Sequence, residues 1–275
     1  MNGKVRPPNI SKKIQQEIIK LRRHGYYFRE IANKLNISVG SSYKYGSRYK
    51  LGKSTEKILK ERIKKSTRKP IKLTPGLTLE KVRIIAHCMF DGSVRKGIIS
   101  YSNTTKELIR EFVRDMKIIY GVHPDRVIKK GKKTIVNYYY SEIIDDLKKY
   151  AKSFSTVSKV AAIPKQIMNA TKEFKREFIR IFWEDEGCIT IDGDIIGRIK
   201  SKKVRDQLIK LHKNLGIECT PYDCSDGAFG IYIIRNPTNL NKFKYVAFKF
   251  SLIARGKNRN MRKIDLFNQI YRKYL

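Results

Sequence analysis

The chain has 275 residues and carries 61 Lys and Arg against 25 Asp and Glu, which gives a formal net charge of +36 at pH 7. A surface this basic repels itself unless a polyanion neutralises it, so the composition favours nucleic-acid binding. No stretch of sequence approaches the ~20 apolar residues of a membrane-spanning helix, and the polar, basic start differs from a signal peptide. We therefore expect an intracellular, cytoplasmic protein with no membrane partner.

Three helical segments are predicted in residues 1–50. Apolar residues recur at helical spacing in residues 11–24 and again in residues 27–35, and Ser38 is a natural N-cap for a third segment. The phrases REIANKLNIS and SSYKY resemble the helix-turn-helix of resolvases and sigma factors, whose last helix enters the major groove. A plain three-helix bundle with a basic face explains the apolar spacing equally well, but the hydrogen-bonding groups of the third segment favour DNA. The predicted DNA-contacting residues of this domain are Ser38, Ser41, Ser42, Lys44, Tyr45 and Arg48.

The rest of the chain contains an internal duplication. Residues 51–77 are interpreted as a basic linker, in which a helix can continue until Pro70. Copy one spans residues 78–152 and copy two residues 171–275, with an inter-repeat connection at 153–170. In each copy an apolar helix runs into an acidic residue and a glycine, followed by two strands, a helix, two strands and a helix. This order predicts an α+β fold of two αββαββα repeats behind a small all-α domain.

Two carboxylates, Asp91 and Glu186, close the leading helices of the two copies. Each precedes a glycine that can take the left-handed conformation ending a helix. An acid at a helix C-terminus with no metal is unfavourable by about 0.3 to 1 kcal/mol, so metal-free placement at both equivalent points is the weaker explanation. If the helices pack side by side, the two carboxylates meet and offer the oxygen ligands that suit Mg²⁺.

The two motifs resemble the LAGLIDADG family of homing endonucleases: IIAHCMFDG at 84–92 and IRIFWEDEG at 179–187 occupy its nine motif positions. The resemblance covers the chain from Thr78 onward. It implies that the motif helices form the central interface, that Asp91 and Glu186 are the catalytic residues and ligands of Mg²⁺ or another divalent cation such as Mn²⁺, and that the sheets form a saddle along the DNA major groove. It also implies a monomer with internal pseudo-two-fold symmetry.

Other residues of the motif helices have simpler interpretations. His87 is expected to be a hydrogen-bonded interface histidine, and Trp183 a core residue. One of Glu184 and Asp185 is expected to face solvent or a nearby lysine.

The four cysteines, Cys88, Cys188, Cys219 and Cys224, lack any CxxC spacing and are interpreted as structural thiols. A zinc site of Cys219 and Cys224 with His212 is the weaker alternative, because their spacing only poorly approximates a zinc cluster.

Strand alternation indicates which side chains face the DNA. In copy two, Ile195, Gly197 and Ile199 are predicted to face the helices while the intervening basic residues point away, and Ile189 and Ile191 likewise alternate with polar residues. The predicted DNA contacts of the repeats are Asn137, Thr190, Arg198, Lys200 and Arg235, and the possible basic assistants of catalysis are Lys257 and Arg259.

The function that combines these features is a sequence-specific, Mg²⁺-dependent double-strand DNA endonuclease acting at an asymmetric site. The first alternative is a catalytically inactive transcription regulator on the same fold, which a helix-turn-helix fusion also suits. The second alternative is an RNA maturase. Both carboxylates favour the nuclease, because a regulator does not need them.

Overall fold

The computed structural model describes residues 10–66, 71–248, 257–258 and 261–273. The chain divides into two compact units, Met1–Lys69 and Pro70–Leu275. The first unit is longer than the 50 residues predicted, because a helix, Lys53–Ser66, fills about half of the predicted linker. Leu59 in that helix is buried, and its carbonyl accepts a hydrogen bond from the Tyr27 hydroxyl at 2.5 Å. The basic segment therefore packs on the first unit.

Four helices make up the described part of the first unit. Ser11 and Ser38 act as N-caps, since their hydroxyls accept from the amides of Ile14 and Ser41. The turn after the first helix uses the positive φ of Gly25, 79°. The helices are α1 Lys12–Arg23, α2 Phe28–Leu35, α3 Val39–Gly46 and α4 Lys53–Ser66.

The second unit confirms the predicted α+β fold and the two αββαββα repeats. The first repeat contains α5 Leu79–Met89, β1 Gly92–Arg95, β2 Ile98–Asn103, α6 Lys106–Tyr120, β3 Arg126–Lys130, β4 Lys133–Tyr138 and α7 Ser141–Lys148. The short helix α8 Lys165–Met168 follows. The second repeat contains α9 Lys172–Asp185, β5 Gly187–Ile189, β6 Ile195–Ile199, α10 Lys202–Asn214, β7 Cys219–Asp223, β8 Phe229–Ile233 and α11 Pro237–Ala247. The described elements beyond it are β9 Lys257–Asn258, β10 Met261–Arg262 and α12 Lys263–Arg272.

The two four-stranded sheets have the same strand order, β1-β2-β4-β3 and β5-β6-β8-β7, and all their pairs are antiparallel. Their registers also correspond, because the motif glycine of each repeat pairs with the second strand of its own sheet. Gly92 lies opposite Tyr101, and Gly187 lies opposite Gly197. This register identifies equivalent positions in the two repeats.

The faces of β6 follow the predicted alternation. Ile195 and Ile199 are buried against the helices, and Arg198 is exposed. The expectation for Ile191 is wrong: the strand stops at Ile189, and Ile191 lies in the following turn with 61% of its surface exposed.

Helices α5 and α9 pack against each other at the centre of the second unit. On one side of their interface, Phe90 makes edge contacts with Phe178 and Phe182, at ring distances of 5.5 and 5.3 Å. In the two motifs, Asp185 corresponds to Phe90 and His87 corresponds to Phe182. On the other side of the interface, Asp185 and His87 therefore form the equivalent pair, and this pair is polar. The interface therefore combines an apolar contact and an ionic contact at equivalent points.

The two motif glycines are needed for space. Neither Gly92 nor Gly187 has a positive φ, so the predicted left-handed conformation is wrong for both. A Cβ on Gly92 would lie 2.7 Å from the His87 carbonyl oxygen, and a Cβ on Gly187 would lie 2.5 Å from the Trp183 carbonyl oxygen. At each of these glycines the strand lies so close to the preceding helix that no side chain can be accommodated.

Gly187→Ala is expected to lower the free energy of unfolding by about 1 to 3 kcal/mol, because the backbone of β5 must move away from Trp183. Urea denaturation measures the change. Gly52→Ala is the matched control, since a Cβ there meets no atom within 4 Å. Equal stability of the Gly187→Ala protein and the parent would contradict the close approach.

Candidate active site and nucleic-acid interface

The carboxyl-terminal ends of the two central helices meet. His87 lies in the last turn of α5, Asp185 is the last residue of α9, and the His87 Nδ1 lies 2.9 Å from the Asp185 Oδ2. Asp91 follows the C-cap residue of α5, and Glu186 is the C-cap of α9. Both predicted metal ligands are therefore placed at the same end of the helix pair.

A chain of hydrogen bonds connects Asp91 to the second repeat. The Asn103 amide nitrogen donates to Asp91 Oδ2 at 2.9 Å and lies 3.3 Å from the Tyr101 hydroxyl. That hydroxyl donates to Asp185 Oδ1 at 3.0 Å. The Asn103 Oδ1 accepts from the amide of Thr105, which fixes the orientation of the side-chain amide. Asp91 is thus two side chains away from the residue preceding Glu186.

Tyr101 and Asn103 were not predicted from the sequence. Both lie on β2, whose register brings them beside the end of α5. Burial, with the nearby Asp185 carboxylate, raises the pKa of Tyr101 far above its ordinary value, so its hydroxyl keeps the proton that it donates. The polar SYSN run of β2, in which Tyr101 is the buried position, is the sequence signal that could have identified them.

The expectation for Glu184 and Asp185 is wrong, because neither faces solvent or a lysine. The Asp185 side chain is fully buried between His87 and Tyr101. Glu184 is 5% exposed, and its Oε2 lies 2.7 Å from Nη1 of Arg180. Each carboxylate is paired with a cationic side chain of the central helices, Asp185 with His87 and Glu184 with Arg180. Trp183 is a core residue as predicted.

His87 is the fully buried interface histidine that was predicted. Burial alone lowers its pKa, but the Asp185 carboxylate, together with Glu111, outweighs burial and raises the pKa to about 9. Burial likewise favours the neutral form of Glu111, yet His87 and Arg180 hold its pKa at about 2. His87 is therefore an imidazolium at neutral pH that links α5 to both α6 and α9.

The charge on His87 predicts a loss of stability at alkaline pH. A folded-state pKa raised above the unfolded value gives stabilisation that is complete below pH ~6.5 and is lost as pH rises through about 9. The loss is expected to reach about 3 kcal/mol. Urea denaturation between pH 6 and 10 measures it, and His87→Gln, which cannot titrate, is expected to flatten this slope. The same slope in His87→Gln would show that another group causes it.

The surroundings of the two candidate metal ligands differ. By register, Gly197 is the equivalent of Tyr101, and Ile199 is the equivalent of Asn103. A Cβ on Gly197 would lie 2.5 Å from the ring of Phe182, so this strand position is occupied by an aromatic ring of the motif helix. The first repeat thus has the Tyr101 phenol and the Asn103 amide beside the Asp91 carboxylate. The second repeat has Gly197 and Ile199 at the equivalent positions.

In the first unit, the predicted contacts of α3 fall into two groups. Ser38, Lys44 and Arg48 are exposed, and Tyr45 is half-buried. Ser41 and Ser42 are buried and therefore unavailable to DNA: the Ser42 hydroxyl donates to the Phe28 carbonyl at 2.7 Å, and Ser41 bonds the Ser38 hydroxyl. Their small side chains allow the close packing of α2 and α3, a structural role that was not predicted from the sequence.

Tyr43 was not predicted, although 60% of its surface is exposed on the same helix. Its ring makes an edge contact with Phe28 at 5.1 Å, which holds the base of the side chain in place. An exposed aromatic residue between Lys44 and the helix N-cap adds a group that can contact a base or sugar.

A polar row crosses the outward face of the first sheet. Ser93, Ser100, Asn137 and Arg126 are direct neighbours on β1, β2, β4 and β3. Asn137 is only 6% exposed, and its Oδ1 has no hydrogen-bond partner among the described residues. The predicted base contact by Asn137 is therefore not available from the surface, and Ser100 and Arg126 flank it on the same face.

On the second sheet, Arg198 and Lys200 point outward as predicted and share one carboxylate. Arg198 Nη2 lies 2.9 Å from Asp226 Oδ1, and Lys200 Nζ lies 3.4 Å from Asp226 Oδ2. Asp226 Oδ1 also accepts from the amide of Ala228, which fixes the carboxylate in the turn between β7 and β8. The two predicted phosphate-binding cations are thus partly neutralised within the protein.

The other predicted contacts of this repeat lie at the β5–β6 turn or beyond the second sheet. The Thr190 hydroxyl accepts from the Asp194 amide, and Arg235 donates to the Asp192 carbonyl. Lys257 belongs to β9, but its side chain, like the whole of Arg259, lies outside the described residues. Both possible basic assistants of catalysis thus fall outside the part of the chain whose side chains the structure describes.

The histidine of the alternative zinc site has both ring nitrogens engaged in the core. His212 Nε2 accepts from the Trp183 indole at 2.8 Å, and Nδ1 donates to the Leu208 carbonyl. Burial lowers its pKa to about 4, so it is neutral. Cys88 and Cys219 are buried, and Cys188 and Cys224 are half-buried.

No helix among the described residues is long and apolar enough to cross a bilayer.

No protein-family model and no curated protein matches the chain. Solved structures of similar fold include mesophilic variants of the homing endonuclease I-DmoI, with a TM-score of 0.49 and 14% identity over 63% of this chain and 97% of theirs. I-DmoI in complex with DNA and Mn has a TM-score of 0.48 and 13% identity over 63% and 98%. The N-terminal LAGLIDADG domain of DUF199/WhiA has a TM-score of 0.45 and 13% identity over 68% and 88%.

Proposed function

We propose that this protein is a sequence-specific, divalent-cation-dependent endonuclease that cuts both strands of DNA at an asymmetric site. The observation that carries the proposal is the joined end of α5 and α9. There, Asp91 is bonded through Asn103 and Tyr101 to Asp185, the neighbour of Glu186. Two carboxylates at one interface, in a chain of net charge +36, suit a reaction on a phosphodiester.

The donor set at this end fits a hard cation. Asp91 and Glu186 supply carboxylate oxygens, and the helix ends around them add the negative end of the dipole. No group of three or more His, Cys, Asp or Glu among the described residues forms a closed metal cage. Mg²⁺ suits such an open site, because it uses one or two carboxylates and takes its other ligands from water and substrate phosphates. When bound, the cation lowers the pKa of water and neutralises charge developing on the phosphate.

The chain's own residues orient the site. Asn103 holds one oxygen of Asp91 at 2.9 Å, so the carboxylate has a fixed direction before any ligand arrives. Tyr101 and His87 hold Asp185 from two sides, which fixes the end of α9 and with it the backbone of Glu186. The site therefore stays assembled only while the two repeats remain packed together.

The outward sheet faces are the proposed DNA-binding surface. Each repeat supplies one sheet, so a single chain can contact both half-sites, and the different side chains of the two faces predict an asymmetric target. Arg126 and Ser100 on the first sheet, and Arg198 and Lys200 on the second, are the proposed contacts. In the first unit, we propose that α3 is a recognition helix and that Ser38, Tyr43, Lys44 and Arg48 extend the contact.

Asp226→Asn is expected to tighten duplex binding by about two- to tenfold, because Arg198 and Lys200 no longer pair with a carboxylate before they meet phosphates. The slope of log K against log salt should steepen by about 1 to 2. Fluorescence anisotropy with a labelled duplex measures both values. Asp145→Asn, an exposed acid on α7, controls for the change in net charge. An equal effect of the two substitutions would remove Arg198 and Lys200 from the interface.

Selection of preferred duplexes from a random pool, followed by incubation of the selected DNA with Mg²⁺, tests the proposed function. Cleavage of both strands at one position, dependent on the cation, is the expected result. Tight, selective binding with no cleavage in Mg²⁺ or Mn²⁺ would contradict the nuclease and leave a DNA-binding regulator.

A further inference from the structure

A second basic surface surrounds the connection between the repeats. A cavity of about 670 Å³ lies between the end of α7, the segment leading into α8, and the start of α10. No Asp or Glu is among the residues that line it. Six lysines line this lysine cavity: Lys148, Lys149, Lys152, Lys159, Lys165 and Lys203.

The backbone that carries these lysines is fixed from below. The Tyr150 hydroxyl donates to the Gly76 carbonyl at 2.9 Å, and the Ile163 amide donates to the Gln207 side chain at 2.8 Å. Phe154 and Ala161, within the same segment, are buried in the core. The lysine side chains therefore project from an ordered frame, although the segment has little regular secondary structure.

The positive charge of the cavity is not neutralised by its neighbours. Lys149 pairs with Asp146 at 3.4 Å, but Asp146 already accepts from Lys81 and from the Tyr120 hydroxyl, both at 3.0 Å. Lys81 is completely buried, so this carboxylate is needed inside the protein. The exposed lysines around the cavity are left with an excess of positive charge.

The lysine cavity is separate from the carboxylate end of the central helices. Lys81, in the first turn of α5, contacts Asp146, and Gly76, just before α5, contacts Tyr150. The cavity therefore lies at the amino-terminal end of α5, while Asp91 lies beyond its carboxyl-terminal end. A helix of 11 residues separates them by about 15 Å.

We infer that the lysine cavity is a second binding site, which takes the phosphodiester backbone of a nucleic acid. Small-molecule sites are mostly apolar with a few polar groups, whereas six of the 13 residues that line this cavity are lysines. Lysine acts as a point charge toward phosphate without reading base sequence, so the site is selective for a polyanion and tolerant of sequence. A single strand, whose backbone can follow a concave surface, fits better than a rigid duplex. This inference does not depend on the nuclease activity.

The test uses the full-length chain and 20-nucleotide fluorescein-labelled single strands, one of DNA and one of RNA with the same sequence. The cavity variant carries Lys148→Gln, Lys152→Gln and Lys159→Gln. The matched control carries Lys117→Gln, Lys210→Gln and Lys213→Gln, which remove the same charge from exposed positions on α6 and α10. Anisotropy titrations are made at several salt concentrations, and the same proteins are titrated with a duplex.

The cavity variant is expected to bind single strands at least about tenfold more weakly at 0.1 M salt, with a salt slope reduced by about 2. The control should change less than about twofold, and duplex affinity should be kept. Similar losses for DNA and RNA identify a backbone site, and a loss confined to RNA identifies contacts to the 2′-hydroxyl. Equal losses in cavity and control variants, no loss in either, or an equal loss of duplex binding would overturn the proposal.

Discussion

Asp91→Asn and Glu186→Gln are each expected to reduce Mg²⁺-dependent double-strand cleavage by about a thousandfold or more, equivalent to at least about 4 kcal/mol in the barrier. Each substitution keeps the size of the side chain and removes the charge that attracts a cation. The third carboxylate at this end, Asp185, is already engaged by His87 and Tyr101. Single-turnover cleavage of the selected duplex measures the effect.

Binding of the same duplex should be retained in both variants, because neither side chain belongs to the proposed sheet surfaces. Asp145→Asn is the charge-matched control, because Asp145 is exposed on α7. This variant should cleave like the parent. Full cleavage by either Asp91→Asn or Glu186→Gln would remove that residue from the active site. Since the two carboxylates have different neighbours, nicking of one strand before the other is expected in the parent.

Arg180→Met is expected to lower the free energy of unfolding by about 3 to 5 kcal/mol. Arg180 is 1% exposed, and its guanidinium contacts Glu111, Glu177 and Glu184 at 2.7 to 3.0 Å. Methionine fills a similar volume but leaves these three carboxylates in the interior without that cation. Guanidinium denaturation followed by circular dichroism measures the loss.

Arg114→Met provides the control. Arg114 also contacts Glu111 and Asp115, but 54% of its side chain is exposed, so its loss should cost at most about 1 kcal/mol. A small effect of Arg180→Met, equal to that of Arg114→Met, would show that the buried ion pairs do not hold the repeats together.

The sequence was sufficient for the repeat architecture because apolar periodicity is a local signal. The motif helices, the two αββαββα orders and the caps Ser11 and Ser38 all follow from spacing within about 15 residues of chain. The alternation of β6 was also predictable, since a strand with one buried face reads directly as a period of two. These features need no knowledge of distant contacts.

The features that the sequence did not predict depend on contacts between distant segments. Asp185 is separated from Tyr101 by 84 positions and from His87 by 98, so its burial as an ion-paired carboxylate is set by the packing of the repeats. Ser41 and Ser42 read as polar surface, but their hydroxyls are satisfied by local acceptors and their small size suits a helix contact. Gly92 and Gly187 were correctly predicted to require glycine, but the predicted reason, a positive φ, is wrong. The actual reason is the lack of space for a Cβ.

Electron paramagnetic resonance of Mn²⁺, titrated into the complex with uncleaved duplex, tests most directly whether Asp91 and Glu186 form a metal centre. The account predicts bound Mn²⁺ in the parent, a reduced amount in Asp91→Asn or Glu186→Gln, and none above the level of free DNA in the double variant. Undiminished Mn²⁺ binding by the double variant, or none by the parent, would contradict a metal centre at the joined helix ends.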